Sequence, residues 1–181
     1  ETSQEAVRDD AVPGVYLSSM SRSAWVDSYL LTVDIIGLRE DKTLTGSDKA
    51  DYRTFDARIE QQMAGYEKTI HGQADRMEFD NFKASHINYN KALAEVLERI
   101  EAKDLPAARV LLDEQLTPIW TEGRMKLNDI ITSNKGVSDQ ASAAIDDAVL
   151  SAKISMVLSL AVAILAAGLC GLLLMRTIMA P

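Results

Sequence analysis

The chain has 181 residues, 27 acidic side chains against 19 basic ones, and a formal charge of −8. So acidic a surface argues against nucleic acid or anionic lipid as a partner, and one cysteine, Cys170, excludes a disulfide framework. With nine Gly, four Pro and no sustained strand alternation, the chain reads as all-α.

The first predicted helix covers about residues 14–40 and carries two seams. Leu17, Ser21, Ala24, Ser28, Leu31, Ile35 and Leu38 form one; Arg22, Val26, Tyr29, Val33 and Ile36 form the other. A five-residue offset separates them by roughly 140° at about 100° per residue. A helix in a monomeric bundle needs one apolar stripe only a little over about 100° wide. The second seam is therefore expected to meet the same helix of a second copy; a wide stripe on a deeply buried helix is the alternative.

The loop Asp41–Asp48 follows, with Ser47 expected to cap a second helix over about 48–71. Phe55, Ile59, Met63, Tyr66 and Ile70 share a face there. After a turn at His71–Asp75, a third helix over about 76–102 alternates steps of four and three through Phe82, His86, Tyr89, Leu93, Val96 and Ile100. The turn Ala102–Pro106 offers Asp104 as a cap and Pro106 in a first turn, opening a short helical piece over about 105–115. Thr117-Pro118 reads as a further break, an N-cap followed by proline at N1. The fourth helix, about 118–152, has Trp120, Gly123, Leu127, Ile130, Asn134, Val137, Ala141, Ala144 and Ala148 in heptad rhythm. Short connections make sequential helices antiparallel, so residues 1–153 are expected to form an up-down-up-down four-helix bundle.

From Ile154 to Met175 run 22 residues without a charge, bracketed by Lys153 and Arg176. About 20 apolar residues span the roughly 30 Å hydrocarbon core, so this segment is expected to continue the bundle as a transmembrane helix. Residues 1–153 then carry a charge near −9, because Arg176 lies beyond the span. They are expected on the periplasmic side of the inner membrane. That placement requires an earlier hydrophobic segment, so both ends, Glu1 and Pro181, are expected to be cut points.

Two stretches carry a family resemblance. Tyr89–Trp120 (YNKALAEVLERIEAKDLPAARVLLDEQLTPIW) resembles the four-helix-bundle sensor of methyl-accepting chemotaxis proteins, as does the run Ala11-Val-Pro-Gly-Val-Tyr16. Arg176-Thr-Ile-Met-Ala-Pro181 is similar to the opening of a HAMP linker. The resemblance implies a homodimeric sensor that binds a small chemoeffector and shifts its last helix. A cytoplasmic kinase complex would be reached through domains beyond Pro181. Related bundles also sit on sensor kinases and diguanylate cyclases, so a dimerisation or docking bundle without direct ligand binding is the alternative.

In relatives of the aspartate-receptor kind, a carboxylate lies between subunits and is held by arginines of the first helix. Arg22, with Trp25 and Tyr29 near it, is the matching candidate here; an Arg–Asp pair with Asp27 is the other reading. On the last helix Thr117, Thr121, Arg124 and Asn128 form a polar stripe beside Trp120, a ligand contact or else a solvated face. Three closely spaced arginines mark the aspartate receptors, and Arg22 and Arg39 are too far apart to repeat them, so another organic acid is as good a candidate. Arg76, ahead of Phe79, Asn81 and Lys83, resembles a carboxylate-binding set of some organic-acid sensors. His71 and His86 have no matching carboxylate ladder, so neither metal nor cofactor is expected. No Gly-rich phosphate loop, Cys nucleophile or Ser–His–acid set is apparent, and no enzyme activity is expected.

Overall fold

The computed structural model describes residues 12–70 and 72–179, with side chains through Arg176. Ala11, His71 and the HAMP-like Pro181 lie outside the described residues. All elements among the described residues are helical. Helix α1 is Val12–Val33 and runs on through a π-helical turn, Asp34–Leu38. Then come α2 (Gly46–Tyr66), α3 (Gln73–Glu101) and α4 (Leu105–Leu111). A second π-helical turn, Leu112–Leu116, leads into α5 (Thr117–Met179). Helix α1 packs against α2 and α5, and α3 against α5. The backbones of α2 and α3 stand further apart and meet through side chains.

The second helix starts on Thr45 rather than on Ser47. Thr45 Oγ1 accepts from Asp48 N at 3.2 Å, while the Asp48 carboxylate accepts from Thr45 N at 2.8 Å, a reciprocal box that satisfies two helix-end donors at once. Asp48 is also gripped by both terminal nitrogens of Arg39 at 2.8 Å, and Arg39 Nε donates to Asp34 at 2.8 Å. The end of α1 is thus stapled to the start of α2. The guanidinium beside Asp48 holds its carboxyl well below the usual carboxylate range. At the same end of the bundle, where Lys49 pairs with Glu101, Lys103 takes a positive φ of 59° just past α3. There Asp104 N donates to Arg99 O and Lys103 N to Ile100 O, the paired bonds of a Schellman turn. Asp104 caps α4 as expected, accepting from Ala107 N at 3.2 Å.

The expected break at Thr117-Pro118 is not a break. Thr117 has helical dihedrals, and the chain passes from α4 through the second π turn into α5 without interruption. Proline at 118 cannot donate to the carbonyl four residues back, and its ring clashes there in a regular α-helix. A π turn widens the backbone just before the ring, and Thr117 Oγ1 donates to Leu112 O at 2.7 Å, serving a carbonyl of that turn.

All six residues of the α3 seam are buried, and on α2 so are Ile59, Met63 and Tyr66. On α1 and its π turn the buried residues are Gly14, Ser18, Ser21, Ala24, Trp25, Ser28, Thr32, Ile35 and Ile36. They include Ser21, Ala24, Ser28 and Ile35 of the expected seam and reach one step further round, while its Leu38 is 76% exposed. Small residues let α1 sit close to its neighbours: a Cβ on Gly14 would stand 2.2 Å from Asn134 Oδ1. Their hydroxyls are satisfied locally or across helices. Ser18 and Ser21 donate to carbonyls of Gly14 and Leu17, Thr32 meets Tyr52 Oη at 2.8 Å, and Ser28 meets Tyr89 Oη at 3.0 Å. Below Asn134 the heptad positions of α5 open to solvent, Val137 being 43% exposed. The apolar stretch of this helix is long enough to cross a membrane, and none of its most apolar window is buried in the chain. A core helix of that hydropathy would have to be covered.

Candidate ligand site on the outer face of the first and last helices

Trp25 sets the register between α1 and α5. Its ring is fully buried, 4.4 Å from Tyr89 and 5.4 Å from Phe82 between centroids, and its Nε1 donates to the Trp120 carbonyl at 3.0 Å. Gly123 lies directly beneath it. Four residues further along α1, Tyr29 stacks on Trp120 at 4.2 Å and 14°, and its hydroxyl meets Thr117 Oγ1 at 2.9 Å. Gly14 opposite Asn134 continues the same antiparallel register. Extended along α1, that register sets Arg22 level with Arg124 and Asn128.

These residues also share a side. Arg22 and Tyr29 are seven apart and Trp120 and Arg124 four apart, spacings that keep each pair within roughly 20–40° on its helix. The Arg124 guanidinium lies 4.9 Å over the Trp120 ring. Arg22 and Arg124 are exposed, and neither is in an ion pair among the described residues. Trp120 Nε1 is buried with no hydrogen-bond partner among the described residues. An indole N–H left so is a donor without an acceptor, a cost of about 1–3 kcal/mol. Thr121 and Asn128 on the same helix are half-buried. The result is a shallow face with two cations, the Thr121 hydroxyl and the Asn128 amide, groups that favour an anion with several oxygens. The Thr117 hydroxyl is spent on Leu112 O, and the Trp120 N–H lies beneath the surface.

The other candidates fall elsewhere. Trp25 is a packing anchor whose ring offers no surface to solvent. Arg76 sits near the α2–α3 turn, bonded to Glu67 at 2.8 Å and 5.7 Å from the Phe79 ring, far along the bundle from Arg22. At the same end Tyr66 Oη donates to Asp75 and accepts from Asn134 Nδ2 at 2.7 Å. Of the second seam of α1, Arg22 is exposed, Val26 and Val33 are half-buried, Tyr29 is taken up by Trp120 and Ile36 is buried. The exposed large apolar side chains of α1, Val12, Tyr16 and Leu30 at 52%, 61% and 54%, are not among the residues of that seam.

Sequence reading joined no carboxylate to His86, and the structure does. Among the described residues Asp56, Glu60 and His86 form the one set of three ligating groups close enough to share a cation. Burial pushes the His86 imidazole below its ordinary value against the opposing pull of Asp56 and Glu60. The i,i+4 spacing of Asp56 with Glu60 and of His86 with Asn90 was the available signal.

Against known families, residues 2–149 match the profile described as a four helix bundle sensory module for signal transduction. No match was found among curated proteins or among solved structures.

Proposed function

The chain belongs to the four-helix-bundle sensory modules of methyl-accepting chemotaxis proteins, and on that premise we propose that it senses a small carboxylate on the outer face of α1 and α5. The family is sensory rather than catalytic. The observation that carries the ligand class is the pair Arg22 and Arg124, two guanidiniums on one level of the bundle without an ion pair among the described residues, the second lying over the Trp120 ring. A guanidinium fork takes a carboxylate through two parallel hydrogen bonds. An organic acid with further hydroxyl or amino groups would also meet Thr117, Thr121 and Asn128.

In this reading residues 1–153 are periplasmic, 154–175 cross the inner membrane and Arg176 opens a HAMP linker towards a cytoplasmic kinase complex. A second copy completes the site by covering the exposed α1 row of Val12, Tyr16 and Leu30. Those three side chains are large, apolar and aligned, which favours a partner helix over water.

The test is isothermal titration of the full chain in nanodiscs against panels of amino acids and organic acids. A hit weakened by about 1.5–3 kcal/mol in Arg22→Ala, the usual worth of a hydrogen bond to a charged group, supports the site. Silence across both panels removes direct binding and leaves the docking-bundle reading, which the same exposed α1 row supports. Sedimentation separates the two, since filling an interface pocket must tighten the dimer.

A further inference from the structure

Between α2 and α3, where the two backbones stand apart, lies a polar cluster that the ligand site does not use. The His86 side chain is 2% exposed, while Asp56 and Glu60 are 49% and 68% exposed at the rim. His86 Nε2 is 3.0 Å from Asp56 Oδ1, and Nδ1 is 3.7 Å from Glu60 Oε1. Asn90 Nδ2 donates to the same Asp56 oxygen at 2.7 Å. Phe82 and Trp25 fix the ring from behind, at centroid distances of 6.4 and 6.0 Å.

A ring with one proton leaves its lone pair towards a carboxylate. If Nε2 carries the hydrogen, Asp56 is served but the Nδ1 lone pair faces Glu60. If Nδ1 carries it, Nε2 can accept from Asn90 Nδ2 at 3.3 Å, but its lone pair also faces Asp56 at 3.0 Å. Either tautomer sets a lone pair against a carboxylate, and two negative groups confront a neutral base. A positive charge on the unprotonated nitrogen, a second proton or a metal ion, relieves that conflict.

We propose that Asp56, Glu60 and His86 bind a divalent transition-metal ion of the zinc class, with Asn90 holding Asp56 in place. One ligand atom from each of the three already lies within 4.8 Å of the others. Around an ion with bonds of about 2.0–2.2 Å they must close to roughly 3.3–3.5 Å, and the two exposed carboxylate chains are free to make that movement. An imidazole nitrogen with two carboxylates suits zinc, nickel or cobalt, whereas calcium and magnesium call for oxygen ligands throughout. The open rim leaves the remaining position to water. Asp56 and Asn90 form the outer hydrogen bond that such sites use to orient a ligand. Bound there, the ion ties α2 to α3 where their backbones stand apart.

The experiment uses the full chain in nanodiscs, purified without a histidine tag and stripped with chelator. Zinc and cobalt are titrated against wild type, Asp56→Asn/Glu60→Gln and His71→Gln. Expected are saturable binding of one ion per chain, a rise in the unfolding midpoint with zinc, and visible cobalt bands of a low-coordinate N/O site. Affinity should fall at least tenfold in the Asp56→Asn/Glu60→Gln chain, whose rim positions leave the core intact, and should persist in His71→Gln. No saturable binding, or binding that survives the double substitution, overturns the proposal. So does binding lost with His71.

Discussion

Gly123 lies under the face of Trp25 so closely that a Cβ built on it would stand 2.4 Å from Cζ2 of the indole. The ring cannot retreat, because Tyr89 and Phe82 pack against it and its N–H is spent on the Trp120 carbonyl. Gly123→Ala should therefore destabilise the bundle by about 1–3 kcal/mol, the range for overpacking a close-fitted core, despite alanine's better helix propensity. Thermal unfolding followed by circular dichroism checks it; an unchanged or raised midpoint would mean that α1 and α5 can spread at this level.

The Arg39–Asp48 pair gives the fold an acid-sensitive joint. The folded-state pKa of Asp48 is depressed, so its contribution is complete above the unfolded value of about 3.9 and is lost as pH falls towards the folded value. Unfolding midpoints should fall as pH drops below about 4. Asp48→Asn should flatten that limb and cost about 1.5–3 kcal/mol at pH 7 through its charged hydrogen bonds. A variant with the same acid slope as wild type would place the sensitivity on other carboxylates.

Trp120→Phe keeps a ring against Tyr29 while deleting the unpartnered N–H. Stability should change by no more than about 1.5 kcal/mol, as for a hydrophobic swap that relieves a buried orphan donor. Affinity for the carboxylate should drop by about 0.5–1.5 kcal/mol if the indole contacts the ligand. Titration calorimetry beside a melting curve separates the two effects, and an unaltered affinity would take Trp120 out of the site.

Lys103 holds a left-handed conformation that glycine adopts without penalty. Lys103→Gly should stabilise the chain by about 1 kcal/mol, near the cost of that conformation for an L side chain. Chemical denaturation would show it as a higher midpoint with an unchanged slope. A lower midpoint would mean that the lysine side chain, rather than its backbone, matters at this turn.

The α3 seam was legible because Phe82 through Ile100 obey one heptad with no competing pattern, and every one of them is buried. On α1 Ser21 and Ser28 fell in the expected seam and are buried, whereas Ser18 and Thr32 read as polar and were left out of it; each of the four returns its hydroxyl to the backbone or to a tyrosine. The cap of α2 was misplaced by two residues, since Thr45 and Ser47 are both good caps and only the Asp48 carboxylate chooses between them. Proline at 118 looked like a stop, and no local rule says that a π turn will absorb it. Arg22 and Arg124 could be chosen as residue types, but their common level depends on the register that Trp25 and Gly123 impose across 95 to 98 residues of chain. Asp56, Glu60 and His86 were separately visible, and only the facing of α2 and α3 joins them.

The π turn at Leu112–Leu116 works as a phase setting. It holds one residue more than an α turn, about 100° of rotation and 1.5 Å of rise, at the head of a helix that continues unbroken to Met179. Ala108, Leu112 and Leu116 above Thr117 and Gly123, Leu127 and Ile130 below it all face the core under that offset. Deleting a single residue there would re-clock the lower rod against the upper one. Either the core below Trp120 turns away from α1, or the strain is absorbed and the apolar stretch leaves the bundle with a different side leading. The angular position of the apolar stretch is thus set some 40 residues above Ile154, by a turn only five residues long.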